Sequence, residues 1–155
     1  MIIGIDPDRE KSGVARLGVK NRVIELYNMA FPELLDFIQA EHRKIGTMFR
    51  LLVVVEAGWM VPSVNFHPSQ GRRAQKIAYD VGANAETGRK IVEMCRHWGI
   101  EVREQHPLKL IWRKGKISAD EFQQVTGFAG RCNQDARDAG LIAWYAADLP
   151  FRLRV

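Results

Sequence analysis

The sequence predicts an α/β fold: a mixed five-stranded sheet with helices on both faces. Three observations carry this. The first thirty residues hold three short β-forming segments joined by short links, the pattern of antiparallel hairpins. The hydrophobic period then changes to that of a helix. Finally, residues 50–58, RLLVVVEAG, hold a continuous apolar run with three β-branched valines, as a central strand buried on both faces requires.

Taken in order, residues 1–6, MIIGID, read as a short buried strand, and Pro7 and Asp8 as a turn. SGVARLGV at 12–19 and RVIELYNM at 22–29 are the second and third strands. In FPELLDFIQAEHRKIG, residues 31–46, Leu34, Leu35, Phe37, Ile38 and Ile45 mark one helical face. Pro32 suits the first turn of that helix and Gly46 its C-cap. The fourth strand ends abruptly in Glu56, and a polar, proline-containing loop follows, GWMVPSVNFHPSQGRR. A long helix then runs to about His97, with a break expected near Gly82. IEVREQ at 100–105 is the fifth strand, and PLKLIWRK a short helix or loop. Ser118 and Glu121 form a capping box for a helix that stops at Gly127, and a last helix covers about 134–148. The order is β-β-β-α-β-α-β-α-α. Hairpins keep the first three strands together, and a right-handed crossover places the fourth beside the first. With no internal repeat, low-complexity segment or linker, residues 1–155 read as a single domain.

A chain of 155 residues is long enough to bury roughly two-thirds of its unfolded surface. No apolar run approaches the ~20 residues that span a bilayer, and MIIGIDPD lacks the basic start of a signal peptide. The two cysteines, Cys95 and Cys132, give no disulfide framework and read as packing residues, so the expected location is intracellular, in the cytoplasm. The four histidines do not pair with them at zinc-ligand spacings. Basic residues outnumber acidic ones, 23 − 18 = +5, a modest excess that fits nucleic-acid binding.

NQDARDAG, residues 133–140, sets two aspartates three residues apart at the start of the last helix. Asn133 is a good N-cap, and acids in the first turn suit the helix dipole. Two carboxylates one turn apart also suit a divalent metal. Asp6 ends the first strand and Glu56 the fourth. If those strands are adjacent and parallel, both acids emerge at the carboxyl edge of the sheet, where open α/β sheets place their sites. The small residues Ala136, Ala139, Gly140 and Ala143 permit the last helix to pack closely and bring Asp135 and Asp138 to the same edge. Four clustered carboxylates repel one another and are costly to bury unpaired. Two hard cations, Mg²⁺ or Mn²⁺, resolve this, and two ions about 3.5–4 Å apart can hydrolyse a phosphodiester. An acidic cluster in a basic protein therefore predicts a nuclease.

IIGIDPD with SGVARL, then LLVVVEAG, then NQDARDAGLIAWYAA together resemble, in order and over nearly the whole chain, the motifs of RuvC-type Holliday-junction resolvases of the RNase H-like superfamily. The resemblance implies an RNase H-like sheet of strand order 3-2-1-4-5 with strand 2 antiparallel. It also implies a homodimeric, Mg²⁺-dependent endonuclease that nicks four-way DNA junctions symmetrically. Asp6, Glu56, Asp135 and Asp138 match the metal-ligand positions, two ions per site, and Lys109 lies where the family places a basic residue near the scissile phosphate. Asp8 stands where the family commonly has glycine, as either a group supporting the site or a turn residue. An RNase H-like nuclease acting on structured RNA and a non-catalytic junction-binding protein are the competing readings.

Arg72, Arg73 and Lys76 form one basic cluster, and Lys109, Arg113, Lys114 and Lys116 a second, with Trp112 interleaved. Both are candidates to track phosphates. Trp59, Met60 and Phe66 follow Glu56. Phe66 is an even choice between stacking on bases and packing, while Trp59 is favoured as a core or interface residue. Trp98 and Trp144, at helical positions, read as core. His67 and His106 stand before prolines and read as surface residues.

Overall fold

A computed structural model describes residues 1–61, 71–108 and 116–151. The strands are β1 (Ile2–Asp6), β2 (Ser12–Gly18), β3 (Val23–Met29), β4 (Leu52–Glu56) and β5 (Glu101–Gln105). The helices are α1 (Phe31–Ile45), α2 (Arg72–His97), α3 (Ala119–Thr126) and α4 (Gln134–Ala146), with one 3₁₀ turn at Gly58–Met60. The sheet order is β3-β2-β1-β4-β5. β2 is antiparallel to both β1 and β3, and β4 is parallel to both β1 and β5. This is the expected mixed five-stranded arrangement, with strand 2 antiparallel.

The register positions the acids. Ile5 lies opposite Val55, so Asp6 and Glu56 each stand one residue beyond that pair on parallel strands. On a pleated sheet alternate residues share a face. Ile3, Ile5, Val14, Val53 and Val55 point into a core formed with α1 and α2, through Leu34, Ile38, Ile91 and Cys95. Ile2, Ala15, Leu17 and Val54 point into the opposite core, with α3 and α4. Asp6 shares the row of Ile2 and Gly4, and Glu56 the row of Val54, which is the face that α4 covers.

α4 lies close on that face because both surfaces are small. A Cβ on Gly4 would collide with the Ala139 carbonyl oxygen and stand 2.7 Å from the Ala143 nitrogen, and one on Gly13 would strike the Asp135 backbone. Gly140 turns instead toward Phe122 of α3, whose Cζ would lie 2.5 Å from an added Cβ. Trp144 is buried in this core and Trp98 packs against the other. Ser118 and Glu121 form the expected capping box, with bonds of 3.2 and 3.0 Å, and Gly127 caps α3 in the left-handed region at φ 79°.

Two boundaries differ from expectation. α2 runs unbroken through Gly82. A glycine keeps its amide donor and weakens a helix interior by only ~1 kcal/mol, and Ala83, Ala85 and Glu86 beside it are helix formers. α4 ends at Ala146, two residues early, where Asp148 takes a positive φ of 53°. Among the described residues no helix is long and apolar enough to cross a membrane.

Candidate metal centre

The site is built from two strand ends and one helix start. α4 begins at Asn133, whose Oδ1 accepts the Ala136 amide at 3.0 Å, so the first turn is fixed and its geometry presents Asp135 and Asp138 on one side. Carboxylate oxygens of Asp6, Asp135 and Asp138 lie within 4.8 Å of one another. Glu56 is outside that trio but borders the same cleft as Asp6. Sheet register supplies the first pair and close helix packing the second.

The electrostatics follow from this convergence. Asp6 has its pKa raised well above the ordinary aspartate value, first by burial and then by the charges of Glu56, Asp138 and Asp135, with Lys116 acting in the opposite sense. Lys116 Nζ lies 3.2 Å from Asp138 Oδ2. Partial burial works against its charge, but Asp138, Asp6 and Asp135 outweigh that and raise its pKa. The other oxygen of Asp138 accepts from Gln134 Nε2 at 2.7 Å. Gln134 is held in turn by Arg137 at 2.9 Å, and Arg137 also donates to the Ile117 and Cys132 carbonyls. Asp138 is thus oriented through both oxygens.

The donor set fits hard divalent cations. It is all carboxylate oxygen, concentrated around the half-buried Asp6, whose charged form is disfavoured by partial burial and by the neighbouring acids. Asp6, Asp135 and Asp138, with Glu56 at the cleft edge, are the residues that would hold Mg²⁺ or Mn²⁺.

The other sequence candidates distribute as follows. Arg72, Arg73 and Lys76 are exposed on the first turns of α2. Lys116 lies at the carboxylates. Lys109, Arg113, Lys114 and Phe66, with Trp112 and His67, fall outside the described residues. His106 is exposed. Asp8 bonds both within its turn and to α2: its Oδ1 accepts the Glu10 amide at 2.8 Å, and its Oδ2 accepts from Asn84 Nδ2 at 3.1 Å. Trp59 packs against the core on the α1 and α2 side. Sequence reasoning placed Lys116 in a general phosphate-binding cluster and missed its pairing with Asp138, because that 22-residue separation is closed only by the fold.

No protein-family model matches the chain, and no curated protein matches it. Among solved structures, T. thermophilus RuvC in complex with Holliday junction substrate is similar at 18% identity, over 92% of this chain and 88% of that chain, with a TM-score of 0.48.

Proposed function

We propose that this protein is a divalent-metal-dependent DNA endonuclease that resolves four-way junctions. The observation that carries the chemistry is the convergence of Asp6, Asp135 and Asp138 within 4.8 Å, with Glu56 on the same cleft. Half-buried carboxylates gathered in this way repel one another and are best explained as ligands. The junction substrate rests on the ordered motifs that resemble RuvC-type resolvases. The same resemblance supports a homodimer, which presents two sites to two strands.

The chain's own residues act in distinct ways. Asp6, Asp135, Asp138 and Glu56 hold the ions. Gln134 and Arg137 keep Asp138 from rotating away. Lys116 keeps a positive charge beside the carboxylates, limiting their repulsion before ions arrive and remaining at hand for a phosphate oxygen. Arg72, Arg73 and Lys76 attract the DNA backbone from the exposed end of α2, and Lys109, Arg113 and Lys114 are assigned the same task. When bound, a pair of divalent ions supplies an activated water and charge stabilisation at the leaving oxygen.

The test is cleavage of an end-labelled synthetic four-way junction by wild type and Asp135→Asn, with Mg²⁺ and with EDTA. Paired symmetric nicks that require both metal and Asp135, with linear duplex spared, are expected. Metal-dependent cutting of any duplex removes junction selectivity, and preference for structured RNA replaces the substrate. Tight junction binding without cutting in Mg²⁺ or Mn²⁺ turns the protein into a non-catalytic junction binder.

A further inference from the structure

One turn of α2 meets both loops that carry the strand-borne acids. Asn84 and Gly88 are four residues apart and so lie on one face of the helix. The loop that leaves β1 after Asp6 docks on Asn84: Asn84 Oδ1 accepts the Arg9 amide at 2.9 Å, and its Nδ2 donates to Asp8 Oδ2 at 3.1 Å. Arg9 adds an ion pair to Asp80 at 3.3 Å and lies over the Tyr79 ring at 5.5 Å. The turn that leaves β4 after Glu56 docks on Gly88. A Cβ there would stand 2.5 Å from Trp59 Cζ3, 2.8 Å from Cη2 and 3.0 Å from Pro7 Cγ. Trp59 is held from two further directions: its Nε1 donates to Glu104 Oε2 at 3.3 Å, and the Arg89 guanidinium lies 5.6 Å over its ring. Glu104 is itself fixed by Arg96 at 2.7 Å.

Pro7 directly follows Asp6, and Trp59 comes three residues after Glu56. Both acids, both of these neighbours and Asn84 border one cleft. Strand pairing sets the backbone positions of Asp6 and Glu56, but the path of the chain after each strand sets where the carboxylates stand. Both paths are clamped to adjacent sites on the same rigid helix, and one clamp works only because residue 88 has no side chain.

We propose that Asn84 and Gly88 are positioning residues: this turn of α2 aligns Asp6 and Glu56 for divalent-ion binding. The inference deepens the proposed function and rests on its metal reading. Neither residue is a ligand; both act through the loops they seat.

The test uses the full chain and reads Mn²⁺ binding by calorimetry without DNA, at a temperature where circular dichroism reports a native fold. It also reads kcat and KM on a four-way junction. Asn84→Ala and Gly88→Ala should each weaken Mn²⁺ binding about tenfold or more, as loss of groups that orient metal ligands commonly does. kcat should fall with it, while junction affinity in EDTA stays within about twofold of wild type. Trp59→Phe in the Gly88→Ala background removes the outer ring carbons that meet the new methyl, and should recover part of the Mn²⁺ affinity. Lys90→Ala, at an exposed surface pair, should change nothing. If Gly88→Ala fails to fold, Asn84→Ala carries the test, since its site leaves the core untouched. Wild-type Mn²⁺ affinity in folded Asn84→Ala or Gly88→Ala overturns the inference alone. A wild type that neither binds Mn²⁺ nor cuts overturns the metal reading and this inference together.

Discussion

α4 and α2 both border the carboxylates, but they hold the sheet in different ways. α4 lies backbone to backbone against β1 and β2, with Gly4 and Gly13 beneath it and seven of its residues buried. It delivers Asp135 and Asp138 directly, as parts of its own first turns. α2 buries only Gly88, Ile91, Val92 and Cys95, all in its second half, and leaves a basic first half exposed. It contributes no acid to the cluster and instead seats the loops after β1 and β4. One helix carries two of the clustered carboxylates and is fixed by sterics. The other is a template fixed by side-chain contacts, with exposed basic residues on its first turns. Changes under α4 should therefore act on the fold and the chemistry together, whereas changes along α2 should separate binding from catalysis.

The largest expected effect is on α4. Asp138→Asn keeps the shape, and an amide can still face Lys116, but it removes the charge of a proposed ligand. Cleavage should fall by at least ~10³-fold, as for removal of a group that acts within a catalytic unit, with junction binding retained. Equal loss of binding would show that Asp138 supports the surface and not the reaction.

Next comes the packing beneath α4. Gly4→Ala inserts a methyl against the Ala139 carbonyl and the Ala143 backbone, which cannot move independently of the helix. A cost of about 1–3 kcal/mol is expected, read as a lower midpoint in urea or heat. An unchanged midpoint would mean that α4 floats further from β1 than its packing indicates.

The third effect depends on pH. Burial, then Glu56, Asp138 and Asp135, raise the pKa of Asp6 in the folded protein. The folded state therefore holds this proton more tightly than the unfolded chain does. The associated stability is complete below the ordinary aspartate range and is lost as pH rises through the raised value. Metal-free protein should melt at progressively lower temperature across that window. Asp6→Asn should flatten the trend, and saturating Mg²⁺ should reverse it by binding the ionised form. A melting profile of Asp6→Asn that tracks wild type would place the pH dependence elsewhere.

The smallest effect belongs to the exposed half of α2. Arg72→Ala, Arg73→Ala and Lys76→Ala should leave kcat at saturation unchanged and weaken DNA binding equally across sequences. Removing one side chain that neutralises a phosphate should reduce the slope of log affinity against log salt by about 0.9. Unaltered slopes would assign the DNA surface to other residues and sharpen the contrast between the two helices into one between a ligand carrier and a purely internal template.

Much of this was legible in the residues. Hydrophobic alternation and the apolar, valine-rich run at 51–55 determined the strands, because a pleated strand exposes alternate residues to opposite faces and a central strand must be apolar on both. Ser118 with Glu121 and Asn133 marked helix starts through local hydrogen bonds, and Pro32 and Gly127 marked helix ends through backbone preference, none of which needs tertiary context. Asp6, Glu56, Asp135 and Asp138 stood out together: acids in a helix's first turn suit its dipole, but two apolar strands that each end in an acid, with an acidic pair opening a later helix, suit a shared site. Tertiary structure alone decided which of these meet: Asp6, Asp135 and Asp138 in one trio, with Glu56 at the cleft edge. It also decided that Lys116 faces Asp138, that Gly82 does not break α2, and that Asn84 and Gly88 receive the two loops. Those outcomes depend on contacts between residues far apart in the chain, set by strand register and helix packing. Sequence periodicity fixes which face of an element is buried, but not which distant residue lies across from it.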